Sequence, residues 1–290
     1  MVILTKILFA GLAVGCIYAL VALGFVLIWK STEVVNFAHG ELLMIGAFVM
    51  YSMLTYFELN FWLAFALTLS IMAFLGIFLE RLLVRPLLGQ PLFAIVMMTF
   101  GLSIVLRGSS GLLWTFETIE FPSYYPSAVI MLGKISVPTA YVTIILTSTF
   151  LVLTLFFFFK FTRLGTAMRA CGQNQLAAYG MGINVKHFFS LCWAIGSILA
   201  TIGGVLLAPI FFLDVNLGHI GMKAIPAAIL GGFESIPGAI VGGLILGLAE
   251  SLAGMYLPPG YRDVIAYIIL IVILVIRPTG LFGAPERTRV

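Results

Sequence analysis

Residues Lys160 to Lys186 read KFTRLGTAMRACGQNQLAAYGMGINVK, a polar interruption of 27 residues between two apolar runs at 138–159 and 188–212. A bilayer core of about 30 Å takes about 20 apolar residues as a helix, so each flanking run is long enough to span and the interruption joins two spans. It is patterned in its own right. Thr162 or Thr166 can cap a short helix through Met168 and Ala170 that Gly172 ends. Asn174 can start a second through Leu176, Ala177 and Tyr179, with Gly180 and Gly182 stopping it and Asn184 capping the next span. From the residues alone, an ordinary amphipathic loop and a small helix–turn–helix that inserts into a partner's groove both fit.

Outward from that break the chain is apolar. Of 290 residues, 62% are hydrophobic and 9% charged, against roughly 45–50% and about 25% in soluble domains. The class that follows is a polytopic integral membrane protein. Lipid demands that backbone groups be satisfied internally, and the runs are near-continuous rather than alternating, so the prediction is all-α and not a β-barrel. The spans are 7–29, 37–57, 61–79, 92–113, 138–159, 188–212, a Gly-rich stretch 224–253, and 262–276. That makes about eight transmembrane helices, or nine if the Gly-rich stretch is broken. The first run follows Lys6 without a small-residue cleavage site and reads as a retained span. Residues 1–290 are expected to form one transmembrane domain, with the polar loop 160–187 in the cytoplasm.

Orientation follows from the basic residues. With the N-terminus outside, Lys30, Arg81, Arg85, Lys160, Arg163, Arg169 and Lys186 are cytoplasmic, while Glu117, Glu120 and Lys134 are outside. Cysteine labels at Ser127 and Thr166 should then react from outside and inside respectively. Arg277, Arg287 and Arg289 place the tail inside, which calls for an odd number of crossings after Phe212. The stretch 224–253 is therefore expected to cross as two short pieces, broken near Gly231, Gly232, Ser235 and Pro237; a re-entrant loop with an external tail is the alternative. The net charge of +4 reflects cytoplasmic loops rather than a nucleic-acid partner.

Two constellations are candidates for a translocation pathway. The first opens the second span with Asn36, Phe37, Ala38, His39, Gly40 and Glu41. Asn36 suits an N-cap, and ionisable His39 and Glu41 are costly in lipid unless they face protein or headgroups. Either the helix is capped at the interface, or it begins inside the membrane and lines the path with its N-terminal N–H groups. The second is Gly231, Gly232 and Ser235. Beyond it, glycines 238, 242, 243 and 247 leave one side of a helix without bulk for close packing. Glu250 reads as an interface residue. Arg107 is expected to snorkel or pair with Glu117 or Glu120, and Glu80, Arg81 and Arg85 read as anchors of the third span.

Catalytic signals are missing. There is no G-x-x-x-x-G-K-[ST] phosphate loop, so the chain is not expected to hydrolyse ATP itself. Three isolated histidines and Cys16, Cys171 and Cys192 offer no metal or disulfide pattern, and no nucleophile motif occurs. The expectation is a non-enzyme with no metal and no cofactor.

Four blocks carry a family resemblance: Asn36-Phe37-Ala38-His39-Gly40-Glu41; Arg169-Ala170-Cys171 through Gly182-Ile183-Asn184; Ala228-Ile229-Leu230-Gly231-Gly232 with Ser235-Ile236-Pro237-Gly238-Ala239; and Arg277-Pro278-Thr279-Gly280-Leu281-Phe282-Gly283. In these the chain resembles the permease subunit of bacterial ATP-binding-cassette importers for branched-chain amino acids, the high-affinity leucine/isoleucine/valine permease H type. The resemblance implies a multi-pass protein of the inner (plasma) membrane. It also implies a homologous second permease, two cytoplasmic ATP-binding subunits and an extracytoplasmic substrate-binding protein as partners. In that family the break after the fifth span is the ATPase-coupling loop, a role that passes by position to Arg169, Ala170, Gly180, Gly182 and Ile183. Gln173 and Asn174 stand where family members commonly carry an acid. Urea or short amides, carried by sister permeases, are the nearest rival substrates. A stand-alone secondary transporter is the rival mechanism, but it would carry coupling acids near the midplane, whereas most acids here sit at span ends.

Overall fold

A computed structural model describes residues 2–122, 129–132, 135–258 and 261–283. Ser127, Lys134, Arg287 and Arg289, which carry part of the predicted orientation, lie outside the described residues. In chain order the elements are α1 (Val2–Thr32), α2 (His39–Thr55), α3 (Phe61–Leu79), α4 (Leu92–Leu113), β1 (Val129–Leu132), β2 (Ile135–Pro138), α5 (Thr139–Phe161), α6 (Arg163–Gln173), α7 (Gln175–Gly180), α8 (Val185–Phe211), α9 (Leu217–Met222), α10 (Ala224–Gly231), α11 (Ile236–Tyr256) and α12 (Tyr261–Ile276). Among the described residues, six helices are long and apolar enough to cross a membrane: α1, α3 with its continuation to Leu87, α4, α5, α8 and α11. The predicted spans 61–79 and 92–113 coincide with α3 and α4. Among the described residues the regular structure is helical apart from an antiparallel hairpin, Val129 opposite Pro138 and Leu132 opposite Ile135, within the segment between the fourth and fifth spans, and an isolated antiparallel bridge between Ile119 and Leu213.

The chain packs as two compact units. The first comprises Met1–Val26, Tyr125–Thr149 and Lys223–Val290; the second comprises Leu27–Tyr124 and Phe150–Met222. α1 and α5 each pass from one unit into the other. In the second unit, Ile28, Val34, Val84, Ile95 and Trp193 form a buried apolar cluster. Membrane helices gain little from burying apolar surface against one another, so close approach of small residues matters more. α8 accordingly meets α2 and α3 at glycines: a Cβ built at Gly46 would lie 2.8 Å from the Thr201 Cα, and one at Gly76 would lie 2.7 Å from the Trp193 carbonyl.

In the first unit the predicted small-residue side of α11 serves two partners. Gly238 and Gly242 meet α10 at Gly231 and Ala227, while Gly243 and Gly247 meet α1 at Ala19 and Gly15. The break in 224–253 is present, but its arms are unequal. α10 has 8 residues and α11 has 21, lengths of about 12 and 32 Å. Only the second arm is long enough to cross, which corrects the expectation of two short pieces. Ser235 caps α11 by accepting the Gly238 N–H at 3.0 Å.

Candidate functional site: the deep start of α2

α2 begins well up the neighbouring helix. The Val35 carbonyl accepts the Thr99 hydroxyl at 3.1 Å, and Glu41 Oε1 accepts the Ser103 hydroxyl at 3.1 Å. Eleven residues further on, the Trp114 Nε1–H donates to the Ser52 hydroxyl at 2.6 Å, and the Phe48 and Trp114 rings stack at 5.1 Å. Glu41 with Ser103 and Ser52 with Trp114 share a sequence offset of 62, so α2 and α4 run parallel in one register. Ser103 lies eleven residues past Leu92, the first residue of α4, a rise of about 17 Å and roughly half of a bilayer core. Residues 33–38 therefore climb back along the first half of α4, and α2 starts at its middle.

The start of α2 thus lies beside the middle of α4 rather than beside its end. Asn36 does not cap in the predicted way. The N-cap position is Ala38, without a side-chain cap, while Asn36 Oδ1 accepts the Ala38 N–H at 3.1 Å and the Asn36 carbonyl accepts the His39 N–H at 3.1 Å. The side chain closes a local turn that aims the chain into α2. Asn36, His39 and Glu41 are all buried.

Around Glu41 the second unit assembles a polar cluster from three helices. Arg107 of α4 donates from Nη2 to Glu41 Oε1 and, from Nη1, to Nε2 of His219 on α9. A guanidinium has donors only, so His219 accepts at Nε2 as a neutral ring. This corrects the expected pairing of Arg107 with Glu117 or Glu120: once α2 starts at the level of Ser103, a closer carboxylate is available deep in the protein. Glu41 Oε2 has no hydrogen-bond partner among the described residues, nor does Arg107 Nε. Glu41 Oε2 lies against Gly218, where any Cβ would overlap it.

In the same unit, Glu80 and Arg85 form a knot in which both carboxylate oxygens are engaged. Residues Glu80–Val84 make one π-turn, in which the Arg85 N–H reaches the Glu80 carbonyl. An α-helix would set residues five apart about 140° from each other, whereas the wider turn brings both to one side. Arg85 donates from Nε to Glu80 Oε1 at 3.0 Å and from Nη2 to Oε2 at 2.8 Å. The same Nη2 reaches the Ser190 hydroxyl at 2.8 Å and the Lys186 carbonyl at 3.0 Å. Ser190 in turn donates to Glu80 Oε2 at 2.7 Å. The residues read as anchors thus tie the end of α3 to the start of α8.

The polar break folds as its local signals predict. Thr162 accepts the Gly165 N–H at 2.9 Å to cap α6, Asn174 accepts the Ala177 N–H at 2.9 Å to cap α7, and Asn184 accepts the His187 N–H at 3.3 Å to cap α8. α6 is pinned to the end of α1, where Gly172 passes the Lys30 carbonyl, and Gln175 donates to the Ser31 carbonyl at 3.3 Å. Burial of Met168 and Ala178 holds the pair down, and burial also pushes the Cys171 thiol up from its ordinary pKa. The outer face stays apolar, with Leu176, Tyr179 and Met181 each at least 74% exposed. Arg169, Gly180 and Gly182 are exposed, and Ala170 and Ile183 half-buried. Gly182 has φ +81° and an open Cβ direction. A groove of about 1080 Å³ opens between α7, Gly182–Lys186 and the Arg85–Gly89 turn.

Gly231, Gly232 and Ser235 belong to the first unit. There the Gly231 carbonyl accepts the Phe282 N–H at 3.1 Å and the Leu230 carbonyl accepts the Leu281 N–H at 2.9 Å, so the Arg277–Gly283 segment closes over the break. Gly232 needs its glycine, at φ +99°. Glu250 is held inside this unit, its Oε1 paired with Lys223 Nζ at 2.8 Å and its Oε2 accepting the Tyr18 hydroxyl at 2.8 Å. Among the described residues, no group of three His, Cys, Asp or Glu side chains could hold a metal ion, and the three cysteines are free and buried.

Comparison with known proteins brings several likenesses together. Residues 7–274 match the family described as branched-chain amino acid transport system / permease component. The chain is 33% identical over 297 residues to the high-affinity branched-chain amino acid transport system permease protein LivH of Escherichia coli strain K12, covering 98% of this chain and 96% of that one. It is 35% identical over 295 residues to the corresponding protein BraD of Pseudomonas aeruginosa, covering 97% and 96%. The probable branched-chain amino acid transport permease protein LivH of Methanocaldococcus jannaschii is 29% identical over 288 residues, covering 91% and 88%. In fold, the chain is similar to one in the structure of PsaBC from Streptococcus pneumoniae in complex with Fab, with a TM-score of 0.50, 16% identity, and 96% and 93% of the two chains covered.

Proposed function

The chain belongs to the branched-chain amino acid transport permease family, and from that premise we propose that it moves branched-chain amino acids inward as one membrane subunit of an ATP-binding-cassette importer. It is a multi-pass protein of the inner (plasma) membrane, with residues 1–290 acting as a single permease domain. A homologous second permease completes the pathway, two cytoplasmic ATP-binding subunits drive it, and an extracytoplasmic binding protein delivers the substrate.

The observation that carries the reading is the α6–α7 pair. It is capped at each helix start, fastened to α1 beneath and apolar on its outer face, which suits a rigid surface seated in a partner's groove. Residues 160–187 form the coupling loop: Arg169, Ala170, Gly180, Gly182 and Ile183 meet the ATPase, and movement there reaches α3 through Arg85 and Glu80. The pathway residues of the second unit are Asn36, His39 and Glu41 at the deep start of α2; in the first unit they are Gly231, Gly232 and Ser235 at the break between α10 and α11. No step of chemistry is assigned to the chain, since hydrolysis belongs to its partners.

Co-purification from native membranes tests the assembly. The expected result is a complex with a second permease and two ATP-binding chains, with branched-chain amino acid uptake into proteoliposomes that stops without internal ATP. Uptake by the purified chain alone under an ion gradient would refute the importer reading.

A further inference from the structure

The second unit contains two fully buried carboxylates that meet an arginine, and they are not equally satisfied. Glu80 engages both oxygens. Glu41 engages Oε1 alone, with Arg107 and Ser103, and its Oε2 has no partner among the described residues. An unmet buried acceptor is expensive and uncommon, so its retention needs a reason. Beside it, Arg107 keeps Nε unpartnered, and its side chain is 26% exposed while that of Glu41 is 0% exposed. A glycine at 218 leaves just enough room for the free oxygen, and His219 holds the guanidinium from the far side. The cluster therefore offers one free anionic acceptor next to cationic donors with capacity left, about half-way up α4.

We propose that Arg107 and Glu41 form a binding site for the charged ends of a zwitterion, with the guanidinium taking the α-carboxylate and Glu41 Oε2 taking the α-ammonium of an amino acid. Arg107 suits a carboxylate because its planar donors match two oxygens. Glu41 keeps an acceptor for a donor that arrives with the cargo. Ser103 and His219 are positioning residues, holding Oε1 and Nη1. Such a site reads the backbone of any amino acid and leaves the choice of side chain to other surfaces. A neutral amide such as urea has neither charge to exchange, so the cluster favours an amino acid over that rival.

The inference rests on the permease reading, and two measurements on the assembled transporter keep the two apart. Leucine uptake by the wild-type complex tests the reading. Thermal unfolding of the same complex, without binding protein, tests the site with three probes at millimolar concentration: L-leucine, isocaproate, which lacks the ammonium, and isoamylamine, which lacks the carboxylate. Leucine alone should raise the melting temperature. The variants R107K, R107Q and E41Q should lose that response and lower leucine uptake about tenfold or more, as expected for losing one charge-assisted contact. R107K, which keeps the charge but not the planar fork, should retain more uptake than R107Q. Equal stabilisation by all three probes, no response in the wild type, or a wild-type response and wild-type uptake in the three variants would each overturn the proposal. So would failure of all three variants to assemble, which would make the pair a structural tie.

Discussion

Glu41 and Glu80 lie in the same unit, both fully buried and both facing an arginine, but one is a closed knot and the other an open one. Glu80 and Arg85 are five residues apart on a single π-turn; both Glu80 oxygens are engaged, and Ser190 and the Lys186 carbonyl add further bonds at Arg85 Nη2. Glu41 and Arg107 come from different helices, and each keeps an unused atom. A buried ion pair repays its desolvation only when geometry is good and the remaining donors and acceptors are met. By that standard Glu80 holds structure together. Glu41 carries a standing cost, which the proposed site accounts for as an acceptor kept open for a ligand. Glu250 is a third case, in the other unit: its Oε2 accepts the Tyr18 hydroxyl and its Oε1 is met by the Lys223 charge in an ion pair without a hydrogen bond of its own.

The comparison can be broken most forcefully at the closed knot. Arg85→Ala strips a buried carboxylate of its main partner, a change that costs about 3–5 kcal/mol in such pairs; the expected result is a large fall in the melting temperature of the purified permease. Near-parental stability would remove the distinction. Lys223→Met should cost less, about 2 kcal/mol, because Tyr18 still donates to Glu250. Combining it with Glu250→Leu should recover part of the loss in a double-mutant cycle, and simple additivity would show that the two are not coupled.

Gly182 lies in the turn between α7 and α8, on the surface proposed to dock the ATPase. Gly182→Trp meets open space but is strained at φ +81°. With that strain confined to an exposed turn, membrane insertion should stay intact while uptake per ATP hydrolysed falls about tenfold. Gly182→Asn, which tolerates the same backbone, should stay near the parent. Unchanged coupling in Gly182→Trp would argue against docking at that surface. The smallest effect expected is topological. A cysteine at Thr166 should react with an impermeant maleimide only from the cytoplasmic side. Native Cys171, buried and with its thiol pKa raised, should stay unlabelled at neutral pH; labelling of Thr166→Cys from outside would invert the orientation.

What could be seen from sequence was whatever a short segment decides for itself. The caps Thr162, Asn174 and Asn184 each act on a residue three further along, and the bounds of α3 and α4 follow from apolar runs between polar ends. The glycine side of α11 was visible for the same reason, although its division between α10 and α1 was not. The deep start of α2 left only an ambiguous trace in the run from Asn36 to Glu41, because the level at which a helix begins is set by its neighbour. The pairs Glu41–Arg107, Arg85–Ser190 and Tyr18–Glu250 are separated by 66, 105 and 232 residues, and no local pattern announces them. Arg85 and Glu80 were close enough to be paired from sequence, but i, i+5 is a poor contact on an α-helix, and the π-turn that makes it good had no evident signal. The expectation that acids sit mostly at span ends fails for Glu41 in a telling way: it does stand at the end of a helix, but that end lies half-way up α4.

The most direct test of the contrast sets Glu41→Gln beside Glu80→Gln in the same assembled transporter, measuring melting temperature and leucine uptake per complex. Glu80→Gln should lower both together, since its effect passes through folding. Glu41→Gln should keep the melting temperature near that of the parent while uptake falls about tenfold or more. If the two variants lose stability and uptake in the same proportion, or if Glu41→Gln transports like the parent, the open carboxylate is structural and the account of α2 as the lining of a substrate path is wrong.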